Sequence, residues 1–267
     1  MELSGNLVKM YTTLEDQVKY SLKLNNNLID INKLIDKKIR LDFNGQINCI
    51  ECGKKTKKSF NQGFCYQCFK TSPKADESVI RPELSKAHLG ISRDIEWAKE
   101  HDLIPHYVYL SISSHLKIGV TRHHQIPTRW IDQGASSAII VAETPNRHIA
   151  GVIEVWLKKF YSDKTSWQAM LKNKLPIDID LVKEKEKAIK LLPIELQRYA
   201  KADCQTEQIN YPVEEYPTKV SPLSFDKTPI IEGVLKGIKG QYLIFEEGKV
   251  LNIRKHNGYY INLSVES

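Results

Sequence analysis

The sequence has no long apolar run. Nothing in its 267 residues approaches the roughly 18 consecutive apolar residues of a membrane-spanning helix, so no membrane-embedded segment is expected. The opening MELSGNLVKM has no basic segment followed by an apolar one, so no signal peptide is expected and the expected compartment is the cytoplasm. Cysteine is scarce, with five residues, and acidic residues are outnumbered, 32 against 39 Lys and Arg. In a reducing compartment so few cysteines, four of them clustered and Cys204 alone, argue against a disulfide framework and for a metal. The net charge of +7, with a pI near 9, points toward a polyanionic partner, although solvated lysines give the same balance.

What is present suits a soluble globular protein. Hydrophobic residues make up 41% and charged residues 27%, enough to bury a core in one large domain or in two to three small ones. Residues 1–45 read as a β unit: YSLKL, LIDI and IRLDF alternate polar and apolar positions around an NNN turn. A four-cysteine module follows at 46–72, then a linker and helix at 73–104, where Leu89, Ile91, Ile95 and Ala98 suggest a helix from Ser85 to His101. Residues 105–175 read as β-β-α-β-α. Pro127 opens the first helix, Gly134 closes it, and the second carries Ile149, Ile153, Trp156 and Phe160 on one face. A helical segment at 176–202 is broken at Pro193, and a proline-rich linker with a second β unit fills 203–267. The expected class is therefore α+β, with small, barrel-like β units at both ends. LIDINKLIDKKIRL (28–41) and VLNIRKHNGYYINL (250–263) share apolar positions at equal spacing; an internal repeat and a chance likeness of two hairpins both remain open.

Cys49, Cys52, Cys65 and Cys68 form two C-x2-C pairs twelve residues apart. Each pair can make a knuckle offering two thiolates to one tetrahedral ion, and Gly53 suits the turn after the first pair. Four protein ligands leave no open position, so one structural zinc is expected. Lys54, Lys55, Lys57 and Lys58 lie on the loop between the pairs and are candidates for binding phosphates, with a solvated face as the alternative. Phe60 and Tyr66 are candidates for stacking on bases, whereas Phe64 and Phe69 read as the module's own core.

In the hairpin VYLSISSHLKIGVT, Tyr107 and Tyr109 share one face with Lys117 and Gly119, and Val108, Leu110, Ile118 and Val120 share the other. A glycine inside a strand marks a close approach by backbone or ligand. The short helix after it brings Arg129 toward the same rim. Glu154, on the last helix, falls at the border of the apolar stripe and also makes an ordinary i,i+4 pair with Lys158. His106, His123 and His124 lie in the same segment, where loop histidines are usually solvated.

Tyr107-Val108-Tyr109, the hairpin, Lys117-Ile118-Gly119, Arg129-Trp130 and Glu154 in β-β-α-β-α order resemble the GIY-YIG endonuclease superfamily over about 60 residues. The resemblance implies a metal-dependent phosphodiesterase. Tyr109 would be general base or water positioner, Arg129 the phosphate ligand, Glu154 the ligand of one Mg2+ or Mn2+, and Gly119 the motif glycine. Tyr107 stands where the superfamily's first motif glycine stands, and Lys117 where most members have tyrosine. A lysine there can lower a neighbouring phenol's pKa. KIGVTR and RWIDQGA beside a four-cysteine segment are also similar to a bacterial family of unknown function. Three functions follow as expectations: a zinc-containing endonuclease acting on DNA or RNA, a catalytically inactive nucleic-acid-binding protein that keeps the nuclease-like fold, and a zinc-stabilised protein-interaction module.

Overall fold

The computed structural model describes residues 2–176 and 178–266. The N-terminal part carries strands β1 (Glu2–Asn6), β2 (Tyr11–Thr13), β3 (Lys19–Leu24), β4 (Asn27–Asp30), β5 (Lys38–Asn48) and β6 (Lys55–Thr56), then helix α1 (Tyr66–Thr71). The central part carries α2 (Ile95–His101), β7 (His106–Ile112), β8 (Leu116–Arg122), α3 (Thr128–Asp132), β9 (Ser137–Thr144) and α4 (Arg147–Leu157). After these come α5 (Trp167–Leu171), α6 (Leu181–Leu191), α7 (Ile194–Gln197) and β10 (Thr206–Gln208). The C-terminal part adds β11 (Ser221–Leu223), β12 (Ile230–Lys239), β13 (Tyr242–Phe245), β14 (Lys249–Asn252) and β15 (Tyr259–Val265). The protein is thus α+β with several sheets. No described helix is long and apolar enough to cross a membrane.

The chain divides into two units. One joins the residues up to Ala75 with those from Asn210 onward; the other is Asp76–Ile209.

In the first unit the two terminal β segments, for which the sequence left one barrel or two open, share a sheet in the order β1-β15-β5-β12-β13-β14-β11. That sheet has an internal two-fold pattern. β5 and β15 run antiparallel with Leu41 opposite Leu263 at the centre. On one side β1 pairs β15 from Glu2–Ser264 to Asn6–Tyr260; on the other, β12 pairs β5 from Ile230–Asp42 to Val234–Lys38. The hydrogen bonds repeat as well. Leu7 N–H donates to Tyr259 O (2.8 Å) and Gly258 N–H to Leu7 O (2.7 Å), while Leu235 N–H donates to Lys37 O (3.0 Å) and Asp36 N–H to Leu235 O (2.7 Å). Asp36 and Gly258, at matching positions, both take a left-handed backbone, with φ of 63° and 87°. The 28–41 and 250–263 echo is therefore matched by equivalent pairings, which chance similarity of two hairpins would not produce.

In the second unit the sheet order is β10-β9-β7-β8. Apolar residues of one sheet face, among them Val108, Leu110 and Ile118, pack against Ile153 and Leu157 of α4 and Leu181 and Ala188 of α6. Burial of this face drives the alternation seen in the hairpin. Asn146 caps α4, its side chain accepting from Ile149 N–H (3.0 Å).

Two helix expectations need correction. The helix expected from Ser85 begins only at Ile95, where Asp94 caps it. Gly90 turns left-handed after a single 3-10 turn, and Ser92 Oγ accepts from Asp94 N–H, so the chain cannot continue helically; Leu89 is 64% exposed. The helix with Ile149, Ile153 and Trp156 ends at Leu157. Phe160 lies beyond it in the open, and Tyr161 takes the buried position instead.

Candidate functional site

The four cysteines come together. Their Sγ atoms all lie within 4.8 Å of one another, and Cys52 Sγ is 3.9 Å from Cys65 Sγ. Zinc–thiolate bonds of about 2.3 Å in a tetrahedron require sulfur separations of about 3.8 Å. Cys49 directly follows β5, its N–H donating to Lys54 O, and Gly53, with φ +71°, closes this first knuckle by donating to Cys49 O (2.9 Å each). Cys65 caps α1, Sγ accepting from Cys68 N–H (3.5 Å). The cluster is positioned to bind one metal ion, consistent with a structural zinc. Among the described residues no other group of three or more His, Cys, Asp or Glu side chains could share an ion. Lys54, Lys55, Lys57 and Lys58 are exposed, and Phe64 is buried in the module.

The hairpin of the second unit places Tyr109 directly opposite Gly119 and Lys117 opposite Ser111. The Tyr109 ring lies over the glycine. A Cβ at residue 119 would stand 2.6 Å from both Cζ and Oη of Tyr109, so no larger residue fits without displacing the ring. Tyr109 is fully buried, edge-on to Trp130 with ring centroids 6.0 Å apart, and its hydroxyl donates to Gln133 Oε1 (2.8 Å). Arg129 and Gln133 are four residues apart at α3 and its C-terminal end, which turns both toward the tyrosine. Ile118 N–H donates to Ser162 O (2.8 Å), tying the β8 edge to the turn after α4.

The electrostatics bind these residues into one group. Burial pushes the Tyr109 phenol upward; Arg129 draws it down and Glu154 raises it further, and the net direction is up. Burial pushes the Lys117 ammonium down to about 8, and the Arg129 charge adds to that while Glu154 and Asp163 oppose it. Lys117 is 3% exposed, and its ammonium makes no hydrogen bond or ion pair among the described residues. Arg129 also weighs on Arg122 and Arg147, whose charges are disfavoured first by burial; Asp102 opposes this in both. Glu154, at the border of the apolar stripe in sequence, is 7% exposed, and burial pushes its carboxyl upward. The buried Oε2 of Glu154 has Lys158 Nζ 3.5 Å away as its ion-pair partner, and that charge draws the carboxyl down against the effect of burial.

Tyr109 and Gly119 are thus in contact, and Tyr109 and Lys117 each lie within electrostatic reach of Arg129 and Glu154. Tyr107 shares their sheet face but is occupied differently: Lys201 Nζ lies 5.7 Å from its ring and is ion-paired with Glu143. His106 is buried, and that burial pushes it down to about 3, against the raising effect of its Nδ1 contact with Ile104 O (2.8 Å). His123 and His124 are exposed. Sequence reasoning missed Gln133. Its only signal was the i,i+4 spacing from Arg129.

A family model described as "Protein of unknown function (DUF2797)" matches residues 36–261. No curated protein and no solved structure matches the chain.

Proposed function

The chain belongs to the DUF2797 family of proteins of unknown function, and for this member we propose nucleic-acid binding in which the Lys117–Arg129 face seats a phosphodiester and cleaves it with a divalent ion on Glu154. The observation that carries the reading is the pair of cations. Lys117 is 3% exposed, and Arg129, half-buried and within its electrostatic reach, makes no ion pair among the described residues. Neighbouring like charges repel, Glu154 and Asp163 offset only part of that at Lys117, and a phosphate matches the planar fork of an arginine. The resemblance to the GIY-YIG superfamily assigns phosphate binding to the same arginine.

Glu154 offers a divalent ion one buried carboxylate oxygen that accepts no close hydrogen bond, and the ion would displace the Lys158 ammonium now 3.5 Å away. Mg2+ or Mn2+, when bound, supplies Lewis-acid cover for charge on phosphoryl oxygens. The chain's own side chains would divide the remaining work. Arg129 holds a non-bridging oxygen, Lys117 covers charge that develops during transfer, and Tyr109 over Gly119 shapes the floor. In the net reaction water adds to phosphorus, one ester bond breaks, and the departing oxygen leaves with a proton.

A second reading has its own support. The Tyr109 hydroxyl donates a hydrogen bond to Gln133 Oε1 and burial holds the phenol above its ordinary range, so no phenolate stands ready as a base. A catalytically inactive nucleic-acid-binding or protein-interaction module fits that. An assay with Mg2+ or Mn2+ on DNA and RNA decides between the two. Under the first reading Arg129→Ala and Glu154→Ala each lower cleavage by about 100-fold or more. Binding without cleavage leaves the second, and absence of salt-sensitive binding overturns nucleic acid altogether.

A further inference from the structure

In the first unit several cations of the main sheet are neutralised. Lys38 pairs with Glu266 (2.9 Å), Arg40 with Asp42 (2.9 Å) and Glu232 (3.2 Å), and Lys236 with Asp36 (2.7 Å). The zinc module differs. Lys54, Lys55, Lys57 and Lys58 are exposed and make no ion pair among the described residues, and the nearby acid Glu51 is taken by Lys74 (3.0 Å) and Ser72 (3.3 Å). Positive charge therefore stays open to solvent beside the cysteine cluster.

An aromatic ledge adjoins it. Tyr66 follows Cys65 as the first residue of α1 and is 60% exposed. Phe60 braces it edge-on with ring centroids 5.5 Å apart, Phe69 stacks on Phe60 at 5.9 Å, and Lys58 Nζ sits 5.4 Å from the Phe60 ring. Because Tyr66 lies between two metal-binding cysteines, its backbone is fixed by the module's fold while its ring stays in water. A large ring held open in this way gains by stacking on another flat surface, and the lysines next to it specify that the partner is anionic.

We infer that this face of the zinc module binds an unpaired stretch of nucleic acid, with one base stacked on Tyr66 and the phosphates tracked by Lys54, Lys55, Lys57 and Lys58. The inference rests on the nucleic-acid reading above and deepens it: base faces in a duplex are covered by their neighbours, so Tyr66 selects single strands.

Fluorescence anisotropy on the full, zinc-loaded chain tests it, with oligothymidylate of about 12 nucleotides against a blunt duplex of about 12 base pairs. The single strand should bind at least about 10-fold tighter, and Tyr66→Ala should weaken it by about 5- to 100-fold while leaving the duplex unchanged. Tyr66→Phe should retain the preference. The double variant Lys55→Gln, Lys57→Gln should flatten the salt dependence of single-strand binding by a slope of about 1.4. An unchanged zinc content shows that the module is intact in each variant. Equal affinity for strand and duplex, Tyr66→Ala binding like wild type, or competition by polyglutamate as strong as by oligothymidylate overturns the inference. If strands bind and Arg129→Ala weakens them while Tyr66→Ala does not, this inference falls and the phosphate seat stands. If nothing binds, both fall.

Discussion

The cysteine cluster and the Tyr109–Lys117–Arg129–Glu154 group are built on opposite terms. The cluster takes all its ligands from one short segment, Cys49 to Cys68, and Cys52 is exposed. The other group draws on two strands and two helices, and its tyrosine, lysine and glutamate are all buried. A small module with little apolar interior needs an external bond to hold its shape, and a tetrathiolate supplies it. A group buried in a sheet–helix core needs no such bond, but each charge it contains must be offset. The cluster's weakness is thus loss of its ion, and the buried group's weakness is unpaired charge.

The largest effect should come from the ion. Metal binding of this kind contributes on the order of 10 kcal/mol in small zinc modules. Chelation, or Cys52→Ser, should abolish protection of the Cys49 and Phe64 amides, which now donate to Lys54 O and Phe60 O. The amides of Tyr109 and Gly119 should keep theirs. Hydrogen exchange read by mass spectrometry checks both, and equal loss in the two places would break the comparison.

The same contrast governs what could be read from the sequence. Ligand spacing is a local property, so the doubled C-x2-C pattern located the cluster directly. Alternation is local too, and it placed Tyr109, Lys117 and Gly119 on one face. The reason for Gly119 is not local: the Tyr109 ring fills the space a Cβ would take, which only strand register reveals. Glu154 looked like a border residue because helical periodicity says nothing of the turn after the helix, and that turn is tied to the β8 edge. Leu89 and Ile91 misled in the other direction, since apolar spacing was helical while Gly90 and Asp94 broke the backbone.

The next largest effect concerns Lys117. Its folded pKa, down at about 8, lies below the ordinary lysine value of 10.5, so between those limits the unfolded chain holds a proton that the folded chain has released. Stability therefore rises with pH across that window, and the penalty is fully present below pH 8. Lys117→Met should remove it, stabilising the protein at pH 7 by about 3 kcal/mol and by progressively less toward pH 10.5. Urea unfolding at several pH values measures this. Inorganic phosphate at about 100 mM should narrow the difference at pH 7 if it fills the proposed seat. A difference independent of both pH and phosphate would refute the account of Lys117.

Gly119→Ala comes third. The added methyl group forces the Tyr109 ring off the strand, at about 1–3 kcal/mol. Tyr109→Phe keeps the ring, loses the hydroxyl's bond to Gln133 and its interaction with Arg129, and should cost about 1 kcal/mol. Urea midpoints rank the two. Reversal of the order would mean that the hydroxyl, not the close packing, holds the tyrosine.

Glu154 should show the smallest effect, and it separates a carboxylate held only by Lys158 from a metal ligand. Burial raises its folded pKa above the ordinary carboxyl value, so the folded state holds that proton more tightly than the unfolded state. Stability is then favoured at low pH and falls as pH rises from the unfolded pKa through the folded one. Lys158 offsets part of this, but at 3.5 Å and partly in solvent it is a weak partner. Glu154→Gln keeps the shape and removes the charge. It should gain up to about 1 kcal/mol at neutral pH and nothing below the ordinary carboxyl range. Added Mn2+ should reverse the ranking, because an ion bound to the native carboxylate stabilises wild type and leaves the variant unchanged. If thermal midpoints of the two proteins respond alike to Mn2+, Glu154 holds no ion, and the buried oxygen is simply a carboxylate that the fold tolerates.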